Sequence, residues 1–153
     1  MTGKEAKAAC GDVQMVRGVE AVIEGGIHAM RFLWEKQSKE EDSGFFLIDA
    51  RNAFNEENRT SMLWAVRHEC PSGAHFIFNC YLHWATIVVR NTGDGPSHLL
   101  HSKEVVNQGY PLSMIAYSIG VLPLLRELRG SHPCVTHPWY ADDAGAERNF
   151  EHI

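Results

Sequence analysis

The spacing of apolar positions predicts two kinds of element in the first third of the chain. From Asp12, a suitable N-cap, apolar residues recur every three or four positions as far as Trp34, and this period predicts a helix. The continuous apolar run Phe45–Ile48 instead predicts a buried strand that ends at Asp49. The pattern therefore places an acidic side chain at the end of a strand, partly in the low dielectric of the core.

The rest of the chain alternates further helices with short strands. Apolar periodicity, and the prolines that interrupt it, predict helices over residues 57–69, 74–83 and 111–129, the last divided at Pro123. β-Branched runs and turn clusters predict a hairpin of residues 85–90 and 98–106, then a strand over 134–140 and a return strand over 144–153. This order predicts an α+β fold in which helices pack on one face of an antiparallel sheet.

Length and charge limit the class of protein. The 153 residues suffice for one domain, and residues 1–11, which are small and polar, are expected to be disordered or frayed. No apolar run approaches the roughly 20 residues of a membrane span and no hydrophobic signal core is present. We therefore expect a soluble intracellular protein of the cytoplasm or nucleus, without a membrane partner. The formal charge of −5 argues against nucleic-acid binding through bulk electrostatics.

Four cysteines and nine histidines raise the question of a structural metal. The cysteines show no paired spacing, so they are predicted to be reduced thiols. The His and Cys residues between positions 68 and 83 follow the pattern H-x-C-x4-H-x4-C-x2-H, which fits no zinc motif. Packing and surface positions are the favoured interpretation of these side chains.

Two adjacent carboxylates, Asp142 and Asp143, follow a predicted strand that ends in Trp139-Tyr140-Ala141. An isolated Asp-Asp pair is most often a solvated turn, because aspartate favours turns. Neighbouring acids also repel each other unless a cation lies between them. Since Asp49 ends another strand, the three acids are candidates for one metal site.

Three segments in order carry a resemblance to a known family. They are Phe45–Asn55, which contains Asp49 and Phe54; Gln108–Ser113, with the sequence Gln-Gly-Tyr-Pro-Leu-Ser; and Tyr140–Asp143, with the sequence Tyr-Ala-Asp-Asp. Together they resemble the central motifs of reverse transcriptases, most like those encoded by retrotransposons that lack long terminal repeats. The resemblance covers about Gly26 to the C-terminus and implies a polymerase palm-like sheet. It also implies that residues 12–153 form a partial reverse transcriptase domain, the palm with part of the fingers and without the thumb.

The resemblance implies RNA-directed DNA synthesis, in which a primer 3′-hydroxyl attacks a deoxynucleoside triphosphate on an RNA template. Asp49, Asp142 and Asp143 match the catalytic carboxylates of the family. The same three residues, with the backbone carbonyl of Ala50, would hold two Mg²⁺ ions, or Mn²⁺ in their place. Hard oxygen ligands suit both the ions and this two-metal chemistry.

The resemblance also implies a nucleotide site. The residues that match it are Ala50, Arg51, Asn52, Ala53, Phe54, Gln108 and Gly109. Phe54 would stand against the incoming sugar and exclude a 2′-hydroxyl, and its alternative role is that of a core phenylalanine. The amides of Asn52 and Ala53 would face the triphosphate. Gln108-Gly109 would touch nucleotide and template, or would simply form the turn that enters the next helix.

Some positions depart from the family pattern, and other functions stay open. Tyr110 stands where the family more often has a small or acidic residue, and Val105 and Asn107 where a glycine and a small residue are common. The expected partners are an RNA template with a DNA primer and deoxynucleotide, with weak or no nucleic-acid binding by this acidic chain alone. The first alternative is a non-catalytic, degenerate retroelement-derived soluble domain. The second is a small metal-dependent phosphodiesterase, which leaves Phe54 and Gln108-Gly109 unexplained.

Overall fold

The computed structural model describes residues 3–11, 13–15, 22–39, 43–93, 95–103, 106, 110 and 112–149. The helices are α1 (Gly3–Cys10), α2 (Val22–Gln37), α3 (Ala53–Glu56), α4 (Arg59–Glu69), α5 (Pro71–Tyr81), α6 (Ser113–Gly120) and α7 (Leu122–Ser131). The strands are β1 (Ser43–Asp49), β2 (Ala85–Val89), β3 (His98–Ser102), β4 (Trp139–Tyr140) and β5 (Asp143–Asn149). The predicted α+β class is therefore confirmed.

The strands form two antiparallel sheets. One has three strands in the order β1-β5-β4, and the other is the two-stranded hairpin β2-β3. Strand β1 pairs with β5 along its whole length, from Ser43 opposite Asn149 to Asp49 opposite Asp143. This register brings the last residue of β1 and the first residue of β5 to the same end of the sheet.

Helices contact both faces of the three-stranded sheet, so the prediction that they pack on one face is wrong. On one face, Gly145 of β5 lies against Met30 of α2, where any added side chain would overlap the methionine. On the other face, Trp139 and Ala144 are buried with Leu125 of α7. Neighbouring residues of a strand point to opposite faces, so adjacent positions in β5 contact different helices.

The main hydrophobic core lies among the helices, where α4 packs against α5 and α6. Its fully buried side chains include Met62, Val66, Ile77, Ile119 and Leu122. Each such side chain contributes about 1.5–3 kcal/mol through burial. This core fixes α3 and α4 immediately after the end of β1, and so supports the acidic end of the sheet.

The N-terminal stretch differs from the expectation of a frayed segment over residues 1–11. Most of it forms α1, and both Ala6 and Cys10 are buried in the main core. The backbone N–H of Ser72, at the start of α5, donates to the Glu5 carboxylate at 3.3 Å. The two buried positions are small residues one helical turn apart, which give only a weak hydrophobic signal in the sequence. Burial raises the pKa of the Cys10 thiol to about 12.

The first predicted helix also begins later than expected. Its proposed cap, Asp12, lies outside the described residues, whereas residues 13–15 are non-helical and α2 begins at Val22. Gln14 forms a parallel bridge with Trp139 of β4. A segment predicted as helix therefore runs alongside the strand that leads to the Asp142–Asp143 turn.

The later elements agree more closely with the sequence pattern. The predicted hairpin is β2-β3, the helix expected to divide at Pro123 is the pair α6 and α7, and the return strand is β5. The strand predicted over residues 134–140 is regular only at Trp139–Tyr140. Among the described residues, no helix is long and apolar enough to cross a membrane.

Candidate metal and nucleotide site

Three acids meet at one end of the three-stranded sheet. Asp49 and Asp143 are paired across β1 and β5, which places their Cα atoms about 4.5–5.5 Å apart. The N–H of Ala50 donates to the backbone carbonyl of Asp142 at 3.1 Å, so the pairing extends one residue beyond β1. The strand-end acids predicted from the sequence are therefore neighbours in space.

The turn that carries these acids has a demanding backbone conformation. Strands β4 and β5 are joined by the two residues Ala141 and Asp142. Ala141 has φ of 52°, in the left-handed region, which costs a non-glycine residue about 1 kcal/mol. Surrounding structure must therefore hold the turn in place.

Gln14 supplies that support. Its side-chain Oε1 accepts a hydrogen bond from the Ala141 N–H at 2.8 Å, and its Nε2 donates to the Ala141 carbonyl at 3.1 Å. The side chain is only 1% exposed, so both bonds lie in the interior. Sequence reasoning missed this residue, because a polar side chain among apolar ones is its only signal in the sequence. Its partner Ala141 is 127 positions away.

Replacing Gln14 by alanine is expected to lower the free energy of unfolding by about 2 kcal/mol, since it leaves buried polar groups of Ala141 without partners. Urea unfolding measures the change. Asn79→Ala, an exposed amide on α5, is the matched control and should change stability by less than about 0.5 kcal/mol. Equal stabilities of the two variants would show that Gln14 does not hold the turn.

A cleft of about 310 Å³ opens beside the acids. It is lined by Asp49, Ala50, Arg51, Asn52, Ala53, Phe54, Asn55 and Asp142. Asn52 adopts a left-handed conformation with φ of 54°, and its carbonyl accepts hydrogen bonds from the N–H groups of Asn55 and Glu56 at 2.9 and 3.1 Å. This tight turn folds residues 49–55 around the cleft, with Asp142 at its border.

Asp143 borders a different cavity. Together with Asp49 it lines an apolar groove of about 560 Å³ between α2 and the sheet. Desolvation raises the pKa of Asp143, and the negative charges of Asp142 and Asp49 raise it further. The adjacent acids therefore line different cavities, while Asp49 lines both. A bound cation would relieve the electrostatic repulsion among the three carboxylates.

The donor set is suitable for a hard cation. Asp49, Asp142 and the Ala50 carbonyl offer only oxygen atoms, which Mg²⁺ and Mn²⁺ prefer. Within the described part of the chain, no three His, Cys, Asp or Glu side chains converge closely enough to enclose an ion as they stand. Mg²⁺ is commonly bound by one or two carboxylates, with water and substrate phosphate completing its shell. Asp49 and Asp142, which line the cleft, would supply two such carboxylates.

Phe54 lines the cleft and also packs in the interior. The ring borders the cleft, and it also packs against the ring of Tyr117 with centroids 4.6 Å apart. Its backbone carbonyl accepts a hydrogen bond from the N–H of fully buried Val106 at 3.1 Å. A cleft-facing aromatic that is backed by a second ring has little freedom to move aside.

Part of the second motif lies outside the described residues. Gln108 and Gly109 are in this part, so their predicted contacts remain predictions. Tyr110 is described: it is exposed and is not among the described residues that line the cleft. Its carbonyl accepts a hydrogen bond from the N–H of Ser113 at 3.0 Å, at the start of α6.

A buried carboxyl group lies close to Tyr117, and sequence reasoning missed it. Neither oxygen of Glu57 has a hydrogen-bond partner among the described residues, and burial raises its pKa to about 9. Gly120 makes room for it, because a Cβ at that position would overlap a Glu57 oxygen. Burial, then the charges of Glu57 and Asp142, raise the pKa of Tyr117 to about 12. Nothing in the sequence distinguishes this glutamate from the solvated acids around it.

The chain was compared with models of protein families and with curated proteins. No model of a protein family matches it, and no curated protein matches it. A functional proposal therefore depends on the motif resemblance, the residues of the site and their geometry.

Proposed function

We propose that the chain is part of a reverse transcriptase palm, and that its reaction transfers a nucleotide from a deoxynucleoside triphosphate to a primer 3′-hydroxyl on an RNA template. One observation carries the proposal: Asp49 and the Asp142–Asp143 turn meet at one end of an antiparallel sheet, beside a cleft lined by the first motif. The palm-like identity of the sheet, the primer and template partners and an intracellular location are parts of the same proposal.

Asp49 and Asp142 would be the shared ligands of the metal, because both border the cleft. The Ala50 carbonyl would add an oxygen, and Asp143 would act from the other side of the turn. Two bound Mg²⁺ ions, or Mn²⁺, supply Lewis-acid activation of the attacking hydroxyl and neutralise the charge on the leaving pyrophosphate. The main task of the chain is therefore to hold carboxylates in place despite their mutual repulsion, which Gln14 assists through the turn.

The cleft residues would select and orient the nucleotide. The ring of Phe54, held by Tyr117, would leave no room for a 2′-hydroxyl, which favours deoxynucleotides. The turn at Asn52 and Ala53 would offer backbone amides to the phosphates, as other phosphate-binding turns do. Arg51 is exposed at the rim of the cleft, where its charge would meet the triphosphate.

The proposal requires that these acids bind a divalent cation. Titration with MnCl₂ is expected to raise the unfolding free energy of the wild-type chain, by about 2.7 kcal/mol at one hundred times the dissociation constant. Asp49→Asn and Asp142→Asn should each remove most of this rise. Both variants should also be more stable than the wild type without cation, since each relieves repulsion with Asp143.

Glu127→Gln is the matched control, because it removes an exposed carboxylate on α7 that lies away from the cleft. It should retain the full response to Mn²⁺. A wild-type chain that does not respond, or Asp variants that respond as the wild type does, would contradict the metal site. That result would favour a non-catalytic, degenerate retroelement-derived domain.

A further inference from the structure

A second groove lies between α4, α5 and the β2-β3 hairpin, with a volume of about 780 Å³. It shares none of its described lining residues with the carboxylate cleft. Arg59 holds its walls together: the guanidinium donates to the carbonyls of His83 and Ser102 at 3.4 and 3.5 Å, which links α4 to both ends of the hairpin region. The hydrogen bonds of Arg59 therefore help to fix the shape of the groove.

Aromatic side chains line this groove and remain largely exposed. Trp64 is 58% exposed and Trp84 is 57% exposed, and Phe78 is also exposed. One face of Trp64 is supported by His68, with ring centroids 4.2 Å apart. A cluster of exposed aromatic rings around one concavity favours an interaction site, because large contiguous apolar patches are uncommon on the surface of monomeric proteins.

The charge of the groove is opposite to the net charge of the chain. Arg67 and Lys103 line it, and none of its described lining residues is acidic, although the whole chain carries −5. The Lys103 ammonium lies 4.5 Å from the centroid of the Trp84 ring, so a cation adjoins an exposed aromatic surface. An anionic ligand with flat rings would use both.

We propose that this groove binds single-stranded nucleic acid. Bases would stack on Trp64 and Trp84, and phosphates would meet Arg67 and Lys103. This combination of aromatic platforms and cations is how proteins bind single strands without regard to sequence. A duplex would bring phosphates but keep its base faces stacked, and an apolar peptide would leave the two cations without partners.

The inference does not depend on the proposed polymerase reaction. It concerns other residues and needs no divalent cation, so it can be tested in the presence of a chelator. Under those conditions no divalent cation occupies the carboxylates, so oligonucleotide binding does not depend on the proposed metal site. A result that disproves binding in the groove is therefore distinguishable from a result that disproves the catalytic site.

Fluorescence anisotropy with labelled ten-nucleotide oligo(dT) and oligo(U), at low salt with EDTA, tests the proposal. Trp64→Ala and Trp84→Ala should each weaken binding by about 5- to 150-fold. Lys103→Gln should weaken it and reduce the slope of log affinity against log salt by about 0.7. The matched controls are Trp34→Ala and Lys36→Gln, exposed residues of α2 outside the groove, which should bind as the wild type does.

Absence of oligonucleotide binding would overturn the proposal, as would equal affinities for the groove variants and the α2 controls. A second copy of the chain is the rival occupant. It would be identified if rising protein concentration shielded Trp84 from a fluorescence quencher while oligonucleotide did not, and that result would also overturn the proposal. Lys103→Gln keeps the test valid if a tryptophan variant fails to fold, because Lys103 is exposed.

Discussion

Replacing Glu57 by glutamine is expected to stabilise the fold by about 3 kcal/mol at pH 7 and to change it little at about pH 4. Burial raises the pKa of this carboxyl from 4.5 to about 9, so the folded chain holds a proton that the unfolded chain releases. The wild-type fold therefore loses stability as the pH rises from 4.5 towards 9, by about 1.4 kcal/mol per pH unit. Glutamine has nearly the same shape and does not titrate.

Urea unfolding between about pH 4 and pH 8 measures this difference. The gap between Glu57→Gln and the wild type should widen steadily as the pH rises. Glu127→Gln, which changes an exposed carboxylate on α7, should follow the wild-type curve. A gap that stays constant with pH would contradict burial as the cause, because only titration makes the gap depend on pH.

The sequence was sufficient to predict that strands carry the acids, but the expected burial of the first strand was wrong, because Leu47 in β1 is 81% exposed. A continuous apolar run ending at Asp49, and a short strand followed by Asp142 and Asp143, are local patterns that depend on few neighbours. The pairing of Asp49 with Asp143 follows once both strands lie in one antiparallel sheet. The turn at Asn52 likewise depends on residues within four positions, whereas the assignment of these residues to a nucleotide site came from the family resemblance alone.

The supporting contacts could not be predicted, because they join residues that are far apart in the chain. The bonds between Gln14 and Ala141 span 127 positions, and neither residue is unusual in its local context. Burial of Glu57 depends on a glycine in α6, where Gly120 leaves room for the carboxyl. The sheet has helices on both faces because side chains alternate along β5 and because α2 crosses one of these faces. The periodicity of the sequence does not specify the path of α2.

Asp142→Ala is expected to lower nucleotide incorporation by about 10³-fold or more. Removing a metal-holding carboxylate forfeits several kcal/mol of transition-state stabilisation, and each 1.4 kcal/mol is about tenfold in rate. Asp142→Asn keeps the shape of the side chain and removes its charge, so it should show a similar loss. Glu127→Gln should retain the wild-type rate, because that residue lies away from the cleft.

The most direct test of a two-metal nucleotidyl-transfer site is extension of a DNA primer on an RNA template by this chain, with Mg²⁺ or Mn²⁺ and deoxynucleotides. Each variant is first compared with the wild type in thermal unfolding, so that a loss of rate is not a loss of fold. We predict that the wild-type chain and Glu127→Gln add nucleotides, and that Asp142→Ala and Asp142→Asn add them at least about 10³-fold more slowly. Wild-type incorporation that is absent, or that persists at a similar rate in both Asp142 variants, would contradict the proposed site.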